Sequence, residues 1–181
     1  MRTLHTEFLI LLPQTAAHAA AMYEVLCDPA LYEFENQPPE SEAWLRQRYA
    51  KLETRLSPDG TEQWLNWVVQ TPDTALIGYV QATVCTRRST AWVAYEFNSR
   101  HWGRGHAQHA VRAMMLELTE HYGVHHFEAV FKKRNQRSQR LLERLGFSPA
   151  PPERQMPPVI EPDECLMLCT GAAVGHSGLA C

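Results

Sequence analysis

Hydrophobic and polar positions along the chain follow two periods, and the switches between them mark out the elements. Residues 91–97 (AWVAYEF) are apolar, aromatic and β-branched, which predicts a buried strand. Beyond them Ala107, Ala110, Val111, Met114 and Leu118 recur at helical spacing with polar residues between, and Tyr122-Gly123 ends that helix as a glycine cap. Upstream, residues 8–12 (FLILL) run into Pro13 and predict a first strand. Thr15 caps a helix whose Ala19, Met22 and Leu26 share a face, ending near Asp28-Pro29. Ser41 caps a second, with Leu45, Tyr49, Leu52 and Leu56 as its core stripe, closed by the turn Ser57-Pro58-Asp59-Gly60. Residues 64–69 and 76–84 read as strands joined by Thr71-Pro72-Asp73-Thr74, and Gly78 marks a bulge or a close approach of backbones. With 92–97 they make an antiparallel meander. Residues 126–131 form a further strand, so 92–131 is a strand–helix–strand unit with an expected right-handed parallel crossover. A second helix over 136–145 stops at Gly146. Residues 149–162 are Pro-rich and irregular, 164–170 offer a last strand, and 171–181 are small and expected to be mobile.

Length and charge narrow the function classes. At 181 residues, 45% hydrophobic and 20% charged, the chain predicts one domain over 1–170 with a substantial core. Seventeen Lys and Arg against 20 Asp and Glu give a net charge of −3, which argues against general affinity for nucleic acid or membranes. The cluster Lys132, Lys133, Arg134, Arg137, Arg140 and Arg144 therefore reads first as a solvated basic face. Five cysteines, Cys27, Cys85, Cys165, Cys169 and Cys181, are odd in number and lack zinc-ligand spacing, so reduced thiols are expected. His106 and His109 share a helical turn without a third ligand, so no metal is expected. No secretory leader or membrane-length apolar run stands out, and a cytoplasmic protein is the expectation.

Two glycines at the strand-to-helix turn carry the chemistry. Unpaired N–H groups collect at a helix start, and the helix dipole adds about half a positive charge, so Gly103 and Gly105 predict an anion site, phosphate above all. A Walker loop would close with Gly-Lys-Ser/Thr, whereas Gly105-His106-Ala107 stands here. A dinucleotide fingerprint would place a third glycine at Gln108. Some thirty residues later comes Asn135-Gln136-Arg137-Ser138-Gln139-Arg140-Leu141-Leu142-Glu143-Arg144-Leu145-Gly146-Phe147. Taken together, Trp-Gly-x-Gly-x-Ala and Asn-x-x-Ser-x-x-Leu-Leu-x-x-Leu-Gly-Phe resemble the GNAT superfamily of acyl-CoA-dependent N-acetyltransferases. The branch that acetylates the N-termini of ribosomal proteins is the most similar, closely over 92–147 and loosely over the rest.

That resemblance implies a mixed α/β fold with a mostly antiparallel sheet and helices on both faces. Its central parallel strands, here 92–97 and 126–131, splay around the pantetheine arm of CoA. Acetyl-CoA is then the co-substrate, and a protein N-terminus or small-molecule amine is the acceptor. Transfer is direct in a ternary complex, since no cysteine falls at a nucleophile position, and the protein acts as a monomer or homodimer. Trp102, Gly103, Arg104, Gly105, His106 and Ala107 form the diphosphate loop, with Trp102 where many members carry Gln or Arg. A competing register, Arg100-x-x-Gly103-x-Gly105, also fits. A backbone N–H near Phe97 or Asn98 would polarise the thioester oxygen. Asn135 matches a residue that bonds the pantetheine arm and also reads as a plain helix cap. Ser138 matches a serine that protonates the leaving thiolate and also contacts the cofactor. Leu142 replaces the tyrosine that serves in many other members. Glu96, on the strand face opposite Tyr95 and Phe97, is the candidate base, with Glu128, His101 or a water chain as rivals. Trp44, Trp64 and the 149–162 loop would shape the acceptor pocket. A non-catalytic acyl-CoA-binding sensor is the alternative function.

Overall fold

The computed structural model describes residues 1–34, 36–155 and 160–171. Among these residues eight strands form one sheet in the order β1-β2-β3-β4-β5-β6-β8-β7. They are β1 (Leu4–His5), β2 (Ile10–Pro13), β3 (Gln63–Gln70), β4 (Leu76–Cys85), β5 (Thr90–Phe97), β6 (His126–Lys132), β7 (Ser148–Pro149) and β8 (Glu164–Thr170). Every neighbouring pair is antiparallel except β5 and β6, which run parallel on either side of the helical crossover. Among the described residues four α-helices cover the sheet: α1 (Ala19–Leu26), α2 (Glu42–Leu52), α3 (His106–Tyr122) and α4 (Gln136–Arg144).

Strand alternation decides which helix lies on which face. Trp67 and Val69 of β3 point into a core shared with Ala110, Val111, Met114 and Leu118 of α3 and Leu142 of α4. Val68, one residue out of phase, points the other way onto Ala19, Met22 and Leu26 of α1 and Leu45 and Tyr49 of α2. Burying each such aliphatic side chain contributes about 1.5–3 kcal/mol relative to leaving it exposed. Trp67, fully buried, keeps its indole N–H satisfied by donating to the Arg2 carbonyl at 3.0 Å. Glu117, buried on α3, is held by Arg2 at 2.7 Å.

The caps follow the local chemistry read from the chain. Ser41 Oγ accepts from the Trp44 N–H at 3.1 Å and starts α2. Gly123 ends α3 at φ 66°, a left-handed conformation that L side chains resist. Gly78 marks both a bulge and a close approach. Val69 pairs with Gly78 but Gln70 pairs with Leu76, so Ile77 is the extra residue. A Cβ on Gly78 would overlap the Glu96 carbonyl oxygen and lie 2.8 Å from Phe97 Cα.

Other boundaries differ from expectation. The apolar run at 8–12 forms a strand only from Ile10, and Phe8 is 46% exposed. That strand is the second arm of a small hairpin with β1. A one-turn 3₁₀ helix, Ala16–His18, separates Thr15 from α1, with the Thr15 N–H donating to His18 Nδ1 at 3.0 Å. Leu56 lies beyond α2, 49% exposed, in an isolated bridge with Gln63. The short β7 arises inside the Pro-rich stretch and pairs with β8. The expected mobile tail from residue 172 onward, with Cys181, lies outside the described residues, as does 156–159 of the Pro-rich loop. Among the described residues no helix is long and apolar enough to cross a membrane.

Candidate active site

Strands β5 and β6 pair only from Thr90↔His126 to Trp92↔Glu128. Beyond that point β5 continues on β4 as far as Phe97, and β6 continues on β8 as far as Lys132. Residues 93–97 and 129–132 therefore diverge across a gap. A cavity of about 760 Å³ opens there, lined by Tyr95, Ala107 and Leu142 on the α3/α4 side and by Tyr49, Tyr79 and Glu96 on the α1/α2 side.

The two candidate oxyanion donors are distinguished by the ladder. Asn98 N–H donates to the Ile77 carbonyl of β4 at 3.0 Å, and its side chain bonds the Val25 carbonyl and the Arg100 N–H. Asn98 is thus committed to the scaffold. Antiparallel pairs alternate in the direction of their N–H groups, so the preceding residue, Phe97, presents its N–H away from β4 and into the gap.

At one end of the gap stands the glycine turn. Gly103 and Gly105 have φ of 72° and 79°, so the turn requires glycine for its backbone conformation. The first helical bond of α3 runs from His109 N–H to the Gly105 carbonyl, which leaves the N–H groups of His106, Ala107 and Gln108 without intrahelical partners. Trp102 is tied down by its indole N–H, which donates to the Phe97 carbonyl at 2.6 Å. Arg137 of α4 stacks over that indole at 4.0 Å and pairs with Glu33 at 2.8 Å. Arg137, Arg140 and Arg144 all line the cavity, and Arg137 is the one that brings to the turn the positive charge that Trp102 lacks. Arg104 is exposed and lies outside the lining. The rings of His101 and His106 lie 5.9 Å apart, each with a buried Nδ1 that has no hydrogen-bond partner among the described residues. Burial first, and then nearby positive charge, hold both pKa values below the usual 6.5. Free amides, a helix start and the Arg137 guanidinium suit a diphosphate, and the gap suits the thin arm that would follow it.

Midway along, Asn135 caps α4 by accepting the Ser138 N–H at 3.1 Å, and both residues line the cavity. Ser138 Oγ in turn meets the hydroxyl of Tyr95 at 2.8 Å. Burial pushes that phenol up to about 12, against a smaller lowering from the Ser138 bond, so it stays protonated. Glu96 projects from the opposite face of β5, directly across the ladder from Tyr79, whose hydroxyl hydrogen-bonds it. Burial, and after it the charge of Glu96, raises the pKa of Tyr79, Tyr49 and Tyr32. All three hydroxyls therefore stay protonated; that of Tyr79 faces the carboxylate, while that of Tyr32 donates to the Leu26 carbonyl at 2.6 Å. Glu128 is instead paired with Arg154 at 3.1 Å, away from the cavity. His101 lies beside the turn.

The residues expected to shape an acceptor pocket divide between those that line the cavity and those that do not. Trp44 lines the mouth, but Trp64 and the described part of the Pro-rich loop do not. Gln14, just past the end of β2, Asn66 of β3 and Gln81 of β4 line the cavity as well. Arg137 belongs to the basic cluster read from the sequence, some of whose charges the family resemblance puts near the adenosine and 3′-phosphate of CoA; Tyr95 is the lining residue that motif reading passed over. Tyr95 had a signal, since it shares the strand face of Phe97, two residues away.

Comparison with known proteins places this architecture. A family model described as acetyltransferase (GNAT) domain matches residues 9–148. No curated protein sequence matches. Among solved structures, a GNAT-family acetyltransferase from Bacillus anthracis superposes with a TM-score of 0.76 at 17% identity, covering 94% of this chain and 99% of that one. A ribosomal L7/L12 α-N-protein acetyltransferase in complex with coenzyme A gives 0.78 at 13% identity, covering 93% and 98%. A chimeric spermidine N-acetyltransferase from Vibrio cholerae gives 0.74 at 19% identity, over 93% and 98%. With the family match running from β2 through the glycine turn to the end of α4, the chain belongs to the GNAT acetyltransferase family.

Proposed function

We propose that the protein moves an acetyl group from acetyl-CoA to a primary amine, the acceptor being a protein N-terminus or a small molecule, by direct transfer in a ternary complex. One observation carries the reading: the gap beside Phe97 is flanked by a glycine turn with free helix-start amides on the α3/α4 side and by the Glu96 carboxylate on the α1/α2 side. Acetyl-CoA supplies the activated thioester. The amides of residues 106–108, helped by Arg137, hold its diphosphate, and Asn135 and Ser138 border its arm. Phe97 N–H stabilises the charge that grows on the thioester oxygen, a contribution of about 3 kcal/mol for one such donor. Glu96, reached from the α1/α2 side, attracts the acceptor ammonium and takes its proton, directly or through water. Ser138 Oγ–H meets the departing sulfur.

Free-thiol release from acetyl-CoA, measured against peptides with free N-termini, polyamines and aminoglycosides, tests this. Amine-dependent release is the expected result. Binding of CoA without release with any amine would leave a sensor and refute the transferase.

A further inference from the structure

The leaving sulfur needs a partner as the C–S bond breaks. Leu142 is 1% exposed in the core and supplies no hydroxyl. Tyr95, on β5, brings a hydroxyl to within 2.8 Å of Ser138 Oγ, one helical turn before Leu142. We infer that Tyr95 is the positioning residue for thiolate departure: its hydroxyl donates to Ser138 Oγ and so directs the serine hydrogen at the sulfur. This rests on the transferase reading above.

Three constraints converge on that geometry. Ser138 cannot shift as a whole, because its N–H is bound to Asn135 Oδ1 at 3.1 Å within the cap of α4. Its hydroxyl rotor is the free variable, and among the described residues the side-chain hydroxyl placed against it is that of Tyr95 at 2.8 Å, 43 residues away in sequence. Both groups line the cavity, and the Tyr95 ring packs against the core of the α3/α4 face. A serine hydroxyl has one hydrogen and two lone pairs, so accepting from Tyr95 leaves its hydrogen for the sulfur. A donor chain ending on the growing charge is the favoured order, since each bond polarises the next. The start of α4 adds its positive dipole end.

Magnitudes separate positioning from proton donation. The phenol, at about 12, lies well above an ordinary thiol near 8.5, so Tyr95 keeps its proton and works as a hydrogen-bond donor. In the balanced step the acceptor nitrogen forms the C–N bond, and the C–S bond breaks with its electron pair on sulfur. Of the two protons the ammonium gives up, one ends on the sulfur and one in solvent.

The test compares the native enzyme with Tyr95→Phe, Ser138→Ala and the double variant. Tyr95→Phe should lower kcat by about ten-fold, the worth of one hydrogen bond to a charged system, with KM for acetyl-CoA within about two-fold and Tm retained. The double variant should be no slower than Ser138→Ala, because the pair acts as a unit. A second reading needs no turnover: the thiol of bound CoA, followed by thiolate absorbance, should ionise at lower pH than free CoA, and Tyr95→Phe should shrink that difference. Full kcat in Tyr95→Phe, additive losses in the double variant, or a loss carried by KM or by Tm would each overturn the role of Tyr95 while leaving the transferase standing. An unshifted bound thiol would do the same. No release by the native enzyme with any amine would overturn both.

Discussion

Gly78→Ala should uncouple the sheet from its chemistry. In an exposed strand the change would gain about 0.5–1 kcal/mol by narrowing the unfolded ensemble. At this position the new methyl overlaps the Glu96 carbonyl oxygen and sits 2.8 Å from Phe97 Cα and 2.9 Å from Phe97 Cδ1. Two of those three neighbours are backbone, so relief requires β4 and β5 to separate. Overpacking of this kind costs about 1–3 kcal/mol, and the rigid neighbours put it at the upper end, near 3. The net destabilisation is about 2 kcal/mol, or a fall in Tm of about 4–8 °C for a chain of this size. The displaced segment holds the Phe97 N–H and Glu96, and a misplacement of about 1 Å can cost about 100-fold in rate. Differential scanning calorimetry with steady-state thiol release reads both effects. Gly60→Ala is the control, at φ 70° with nothing within 4 Å, and should cost stability without changing kcat/KM. A Gly78→Ala protein that melts at or above native and keeps native kcat/KM would refute the reasoning.

Further outcomes follow from the site. Glu96→Gln should reduce kcat by about 10²–10⁴ with CoA affinity retained by calorimetry; an unchanged kcat would exclude it as the base. Arg137→Ala should weaken CoA binding about ten-fold and flatten its dependence on salt, because a cation beside the turn is lost; native affinity at low salt would remove Arg137 from the diphosphate site. His18, His101 and His106 all have pKa values lowered chiefly by burial. The unfolded chain then binds protons first, so their contribution to stability is present above the ordinary 6.5 and is lost as pH falls below it. Tm should drop between about pH 7.5 and about pH 5.5, and saturating CoA should reduce the drop by favouring protonated His101 and His106. A Tm that is flat over that range, or insensitive to CoA, would contradict the assignment.

Legibility in the sequence tracked the range of the interaction. Local rules sufficed for β3 to β5, for α3 with its Gly123 cap and for the Ser41 cap, because period, turn chemistry and capping act within a few residues. Gly78 was legible as a backbone contact, though not which backbone. The hairpin β1–β2 was hidden, since two residues at Leu4–His5 carry no periodicity and exist as a strand only by pairing with Leu11 and Ile10. Within the site, motif spacing pointed to the glycine turn and Ser138. The distinction between Phe97 and Asn98 needed the ladder with Ile77, and the Tyr95–Ser138 and Arg137–Trp102 contacts join residues 43 and 35 positions apart. Such meetings are products of the assembled sheet.

Strands that stop pairing usually do so at the rim of a sheet, where unpaired amides invite another chain to add itself. Here the unzipped margin lies in the middle, between β5 and β6, walled by helices above and below. A folded neighbour is too broad to enter such a slot, while a slender molecule bearing its own amide groups can thread it and complete the interrupted ladder. What would be an aggregation hazard at the periphery becomes, at the centre, a sieve for the shape of the guest.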